Sequence, residues 1–398
     1  MSVLPWPAGR VFADMTSACQ SPLNTGVKRI QRGLHACLRG HPGYIPVAWQ
    51  SSLRGCRTLG PEDLALLEPG GAAASGLQLY DAPLAGTWGD WRRRRTDAAR
   101  LLPPEAWRAG DVFFCPDLLW DGRGAFVRRL PPGVVKVGVF HDAIGLRRGW
   151  RAGVDGWLCA RGIRALAAFD RVFCISREAE ADLLHYWRKE GLRPAATRVL
   201  PWPVPFEGPR PEGAGRFGAR ELLYVARLEE HKNHLRLLDA CEMLWSRGLE
   251  FRLRLVGCNA YPGHSARVRR RITALARRGR AVDLRAHVDE AALRAAYRDC
   301  AFTVFPSLLE GFGLPILESL WHGRPVVAGT SGALGEVASG GGCEPCDPAD
   351  PASLAEAIGR LLTDESRYLN RCEEAARRPF TRWPDYWAAL CAALEERP

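Results

Sequence analysis

Between Glu221 and Ala328, short apolar runs rich in β-branched and aromatic residues alternate with longer amphipathic stretches. The runs 221–226, 251–257, 282–286, 301–305 and 325–328 have the length and composition of strands. The stretches at about 233–247, 266–278 and 289–298 repeat their apolar residues at helical spacing. Such alternation forces parallel pairing, because each helix carries the chain back across the sheet before the next strand begins. The expectation is a doubly wound parallel sheet, whose ligands sit at the carboxyl ends of the strands.

The first half shows the same alternation less cleanly. Strands are expected at Val11–Asp14, Tyr44–Trp49, Asp111–Cys115, Val134–Phe140, Arg171–Ile175 and Arg198–Leu200, with helices at about Gly26–Arg39, Val154–Phe169 and Ser176–Lys189. Residues 51–110, rich in glycine, proline and arginine, are the least legible part and are expected to carry loops. Pro201–Gly213 is dense in proline and glycine and reads as a linker. A chain of 398 residues exceeds one ordinary core, so two domains of roughly 200 residues each are expected.

The chemistry concentrates in Phe305-Pro-Ser-Leu-Leu-Glu-Gly-Phe-Gly-Leu-Pro-Ile-Leu-Glu318. Phe302–Phe305 reads as a strand, and Pro315 stands where a first helical turn would begin. A strand, a glycine turn and a helix start aim several backbone N–H groups at one point, with the helix dipole behind them. That is a place to hold an anion. Glu310 and Glu318 add acceptors for neutral hydroxyls, and phosphate on amides with hydroxyls on carboxylates suits a nucleotide-sugar.

This stretch resembles the signature of retaining GT-B glycosyltransferases of family 4, two glutamates separated by seven residues. Further segments match in the same order: Leu222-Leu-Tyr-Val-Ala-Arg227 with Lys232, Leu253-Arg-Leu-Val-Gly257, Pro306-Ser307 and Gly323-Arg-Pro-Val-Val-Ala-Gly329. The match is strong over 220–342 and looser before it, where Asn24-Thr-Gly-Val-Lys-Arg29 and His141-Asp142 are its recognisable points. The resemblance implies two Rossmann-like α/β domains whose parallel sheets face across a cleft. Residues 1–205 would form the acceptor side and 206–375 the nucleotide-sugar side, with 376–398 returning towards the first domain.

It also implies roles. Arg227 and Lys232 would bind the diphosphate, and Glu318 the ribose hydroxyls. Glu310 would contact the donor sugar, and Phe312, Gly313 and Leu314 would offer backbone amides. His141 would touch the donor sugar or lie near the reacting centre, with Asp142 orienting the imidazole or having no such role. The amides around Thr25 and Gly26 would approach a phosphate, a variant found in family members acting on mannose-, rhamnose- or fucose-type sugars. Lys28 and Arg29 either share that role or are ordinary helix surface. The expected reaction moves a hexose from a nucleotide diphosphate sugar, with retention and without a metal, to a lipid-linked or polysaccharide acceptor in cell-surface glycan synthesis. A soluble sugar-phosphate acceptor and a non-catalytic scaffold of the same fold are the alternatives.

Composition narrows the rest. No apolar run reaches the ~18 to 20 residues of a membrane helix, and Met1–Pro7 has neither basic start nor apolar core, so no secretory leader is visible. Thirteen cysteines, an odd number scattered through the predicted elements, suit reduced thiols in a cytoplasm. Cys343-Glu-Pro-Cys346 is a lone CxxC that reads as a loop coincidence, or else as a redox or zinc pair. The net charge is +11, yet only four lysines occur: Lys28, Lys136, Lys189 and Lys232. Arginines gather in Arg92–Arg95, Arg147-Arg-Gly-Trp-Arg151 and Arg267–Arg280, the first two beside Trp88, Trp91 and Trp150. Such clusters favour an anionic membrane surface at the inner face of the cell membrane, with a merely solvated basic face as the alternative. Nothing accompanies the charge that would mark nucleic-acid binding. The sequence lacks the Asp-x-Asp pair of metal-dependent glycosyltransferases, a P-loop and a Gly-x-Ser-x-Gly elbow.

Overall fold

The structure, a computed structural model, describes residues 4–20, 26–68, 98–148, 153–206, 208–211, 213, 215–286 and 288–396. The chain divides into two compact units, one of Met1–Pro205 with Thr381–Pro398 and one of Phe206–Phe380.

The first unit holds a seven-stranded sheet: β1 (Val11–Asp14), β2 (Tyr44–Gln50), β3 (Gly55–Thr58), β4 (Val112–Cys115), β5 (Val135–Phe140), β6 (Arg171–Cys174) and β7 (Ala196–Val199). Their spatial order is β3-β2-β1-β4-β5-β6-β7. All pairs are parallel except β2 with β3. Central strands covered on both faces need apolar residues throughout, and β4, Val-Phe-Phe-Cys, is wholly buried. The helices that bear on function are α1 (Thr16–Gln20), α2 (Gly26–Leu38), α3 (Pro61–Leu67), α4 (Arg123–Val127), α5 (Ile144–Arg147), α6 (Gly153–Leu166) and α7 (Arg177–Lys189). Ser176 caps α7 by accepting from the Ala179 amide at 3.0 Å.

The second unit holds six parallel strands in the order β10-β9-β8-β11-β12-β13. They are β8 (Glu221–Val225), β9 (Arg252–Val256), β10 (Val282–Arg285), β11 (Phe302–Phe305), β12 (Val326–Ala328) and β13 (Cys343–Pro345). The connecting helices are α8 (His234–Ser246), α9 (Pro262–Arg277), α10 (Glu290–Asp299), α11 (Leu314–Trp321), α12 (Gly332–Ala338), α13 (Pro351–Thr363) and α14 (Glu365–Arg377). The last helix, α15 (Trp383–Glu395), belongs to the first unit, where Trp387 donates to the Pro5 carbonyl at 3.0 Å. Its Trp383 indole lies where a Cβ on Gly33 of α2 would collide at 2.4 Å. Among the described residues no helix is long and apolar enough to cross a membrane.

Two expectations are refined by the structure. The stretch 51–110, expected to carry loops, also holds β3 and α3, and β3 is a strand because the Trp49 segment pairs with it antiparallel. Cys343-Glu-Pro-Cys346 is loop only at its last residue, because Cys343–Pro345 form β13. Cys343 and Pro345 sit in register with Val326 and Ala328, so β12 imposes extended backbone on a sequence of weak strand propensity. Burial pushes both thiols, Cys343 and Cys346, up to about 12.

Candidate functional site

In a doubly wound sheet the ligand crevice opens where the strand order reverses. In the second unit that point falls between β8 and β11, since β9 and β10 continue to one side and β12 and β13 to the other. The loops leaving β8 and β11 carry Arg227, Lys232 and Glu310. Gly257 at the end of β9 lets the end of β8 come close: a Cβ there would lie 1.8 Å from the Ala226 carbonyl oxygen.

Hydrogen bonds join the two loops. The His231 carbonyl accepts from the Leu308 amide at 2.8 Å and from Ser307 Oγ at 3.2 Å. Tyr224 Oη donates to the Lys232 carbonyl. Asn233, in the left-handed conformation at φ 63°, turns the chain into α8 while its Nδ2 donates to the Pro306 carbonyl at 3.1 Å. Lys232 Nζ reaches Glu310 Oε1 at 2.6 Å, with the two side chains 18% and 10% exposed. Arg227 Nη1 lies 3.2 Å from Glu229, which also faces His231 Nε2 at 3.3 Å. The structure therefore brings Lys232 and Glu310 together, while Arg227 pairs with Glu229 on the loop that leads to Lys232.

The signature turn leads into α11. Gly313 adopts φ 124°, a region other residues avoid, and serves as N-cap without a side-chain hydrogen bond. The N–H groups of a first turn have no intrahelical acceptor, and Leu314 and Phe312 flank this start. Glu318 lies one turn on and is buried, only 1% exposed. Its Oε2 accepts from Tyr297 Oη of α10 at 2.7 Å, and its carbonyl pairs with His322 Nδ1 at 2.8 Å. The Tyr297 and His322 rings stack with centroids 5.4 Å apart and planes 13° apart. Burial, reinforced by Arg294, Arg324 and Arg298, outweighs the Glu318 carbonyl and pushes His322 down to about 4, so it is neutral at pH 7.

In the first unit the strand order reverses between β1 and β4. Arg123, 1% exposed, ties the loops there: Nη1 donates to Asp14 at 2.7 Å and to Asp117 at 2.8 Å, and Nε to Asp121 at 2.9 Å. Asp117 in turn accepts from the Ser17 hydroxyl at 2.7 Å. Burial opposes ionisation of Asp117, but Arg123 and Ser17 prevail and hold its carboxyl below the usual range. His141 follows β5, buried, with Nε2 3.0 Å from the Pro116 carbonyl. A carbonyl only accepts, so Nε2 carries the proton and Nδ1 keeps the lone pair. Burial holds His141 below the ordinary histidine value despite that bond. Asp142 accepts from the Ile144 amide at 3.0 Å, just ahead of α5, and the Pro116 carbonyl fixes one edge of the imidazole. Gly26 opens α2, where a Cβ would meet nothing within 4 Å. Lys28 is buried rather than ordinary helix surface, and Asn24 and Thr25 lie outside the described residues.

Sequence reasoning missed Tyr297, His322, Asn233 and Arg123. His322 stands four residues after Glu318, on the same helix face, which is a usable signal. The others depend on contacts between distant segments. Among the described residues, no group of three or more His, Cys, Asp or Glu side chains is placed to hold a metal ion.

Residues 219–364 match the family model described as glycosyl transferases group 1. No curated protein sequence is significantly similar to this chain. Solved structures of low identity share the fold. Anabaena HepE in complex with UDP and glucose aligns at a TM-score of 0.64 and 15% identity, over 98% of this chain and 100% of that one. Sucrose-phosphate synthase from Thermosynechococcus elongatus aligns at 0.63 and 18%, over 97% and 98%. S. aureus TarM, in a complex that includes UDP, aligns at 0.55 and 14%, over 71% of this chain and 55% of TarM, so the chain spans little more than half of TarM's length. The chain thus has the GT-B fold of two parallel-sheet α/β units, and within its second unit residues 219–364 are similar to the group 1 glycosyl transferases.

Proposed function

We propose that this protein is a retaining glycosyltransferase that transfers a hexose from a nucleotide diphosphate sugar, with the donor held on the second unit. The observation that carries the reading is the Lys232–Glu310 pair at the strand-order reversal, directly before the uncapped start of α11. The chemistry asks for that combination. As the C1–O bond to the diphosphate breaks, its electron pair collects on a phosphate oxygen, where Lys232, Arg227 and the amides of 312–314 stabilise it. Glu310 holds hydroxyls of the departing sugar, and Glu318 those of the ribose. The acceptor hydroxyl forms the new bond to C1 on the face the phosphate leaves, and its proton passes to the phosphate oxygen. Charge stabilisation then comes from side chains, which is the basis for proposing a reaction without a metal.

The HepE and TarM structures contain UDP, so a UDP-sugar is the first donor to try. A lipid-linked or polysaccharide acceptor, met at an anionic membrane surface, is the favoured partner class. Similarity to sucrose-phosphate synthase over nearly the whole chain supports a second reading, with a soluble sugar-phosphate as acceptor.

The deciding measurement is a thermal-shift panel with UDP-, GDP-, ADP- and dTDP-sugars in EDTA. A ligand at a hundred times its dissociation constant adds about 2.7 kcal/mol to the folded state. One donor is expected to raise the melting temperature selectively, and Lys232→Ala to remove that rise. If every donor leaves the melting temperature unchanged, the reading fails.

A further inference from the structure

Lys232 and Glu310 are committed twice. In the structure they hold each other at 2.6 Å, largely shielded from water. In the reaction proposed above, on which this inference rests, Lys232 belongs to the diphosphate and Glu310 to the hydroxyls of the donor sugar. Attraction between opposite charges strengthens as water is excluded, so this pair competes in earnest with an incoming diphosphate. A nucleotide-sugar compensates for the exchange, because its hydroxyls occupy the carboxylate that Lys232 leaves. A bare nucleoside diphosphate offers the carboxylate nothing.

We propose that Lys232–Glu310 is an exchange latch that favours the nucleotide-sugar over the nucleoside diphosphate left after transfer. Binding of the intact donor swaps both partners, the ammonium to phosphate and the carboxylate to sugar. Once the sugar has gone, Glu310 reclaims Lys232, the hold on the diphosphate weakens and the product leaves. The loops need not move for this. The backbone on both sides is fixed by the bonds from Leu308, Ser307 and Asn233, and the Lys232 carbonyl is held by Tyr224. Only two flexible side chains rotate, with Lys232 Nζ lying 5.8 Å from the Phe305 ring centroid.

The latch makes a prediction opposite to that of an ordinary binding residue: neutralising Glu310 should tighten the product. Calorimetric titration of the full chain with UDP, GDP and ADP, and with UDP-glucose, GDP-mannose and ADP-glucose, tests it. Glu310→Gln is expected to bind the preferred nucleoside diphosphate about fivefold or more tighter than the wild type, and the matching nucleotide-sugar no tighter. In a Lys232→Met background the gain from Glu310→Gln should vanish, whereas simple repulsion between Glu310 and phosphate would survive there. Glu310→Ala gives a second neutral variant should Gln disturb folding. Unchanged or weaker binding of the nucleoside diphosphate, or a gain that persists without Lys232, overturns the latch while leaving the glycosyltransferase reading intact. A wild type that binds none of the six nucleotides overturns both.

Discussion

At the residue scale, Tyr297 decides how Glu318 can act. A buried carboxylate needs donors, and Tyr297 supplies one at 2.7 Å from the preceding helix, 21 residues back. The bond fixes the carboxylate's rotamer, ready for the ribose that the proposed function assigns to it, and His322 backs the tyrosine ring. Tyr297→Phe keeps the ring and removes the donor, a change that typically costs about 1.5–3 kcal/mol where the partner is charged. Titration with UDP and with its 2′,3′-dideoxy analogue separates positioning from general damage. The variant should lose roughly tenfold in affinity for the ribonucleotide and little for the analogue; equal losses for both would assign Tyr297 to packing alone. Arg227, Lys232, Glu310 and Glu318 stand out in sequence because they fall in the segments that resemble the family's motifs, at strand ends and a glycine turn. Tyr297 does not. With Leu293 and Ala296 it forms the buried face of α10, and by spacing alone it is one more apolar contact.

At the scale of elements, the legible parts were strands whose own residues demand burial, such as Phe302–Phe305, and helices with strong periodicity. The strand β13 depends instead on its neighbours, and Glu344 shows how. This residue is wholly buried, and it accepts from Arg360 and Arg367 at 2.8 Å and from Arg371 at 3.2 Å. One carboxylate thus fastens β13 to α13 and α14. Burial alone would raise its pKa, but the three guanidiniums win and hold it below the ordinary glutamate value. A group depressed in the folded state contributes stability above its unfolded pKa of about 4.5, and loses it as pH falls through the lower folded value. Glu344→Gln removes the charge from three hydrogen bonds whose arginine partners are 23–39% exposed and can turn to water, so a loss of about 2 kcal/mol at pH 7 is expected. Urea unfolding should show that gap, and the gap should narrow when the comparison is repeated below pH 4.5. A gap independent of pH would mean that shape rather than charge is what β13 needs from this residue.

For the whole molecule, the charge of +11 requires a destination. Some of the 55 basic residues are paired internally, but each pair also uses one of the 44 acidic residues and leaves the excess unchanged. Arg271 pairs with Asp239 at 2.8 Å and with Glu242, and Arg147 with Glu178 at 2.5 Å. What faces outward on α9 is a row, Arg267, Arg270 and Arg277, all exposed and at spacings of three and seven that keep them on one side of the helix. Arg92–Arg95, Trp88, Trp91 and Trp150 lie outside the described residues. Each basic side chain near an anionic leaflet contributes about 1 kcal/mol, and salt screens it. Vesicles containing phosphatidylglycerol should therefore co-sediment the protein at low salt and release it at high salt, while phosphatidylcholine vesicles should not bind it. Reversing all three arginines to glutamate should weaken sedimentation by at least tenfold if α9 is the contact face. Full retention would shift the contact to the 92–95 cluster. Failure of the wild type to bind any anionic vesicle would instead favour the soluble sugar-phosphate acceptor, because an enzyme that meets its acceptor in a membrane must first reach the membrane.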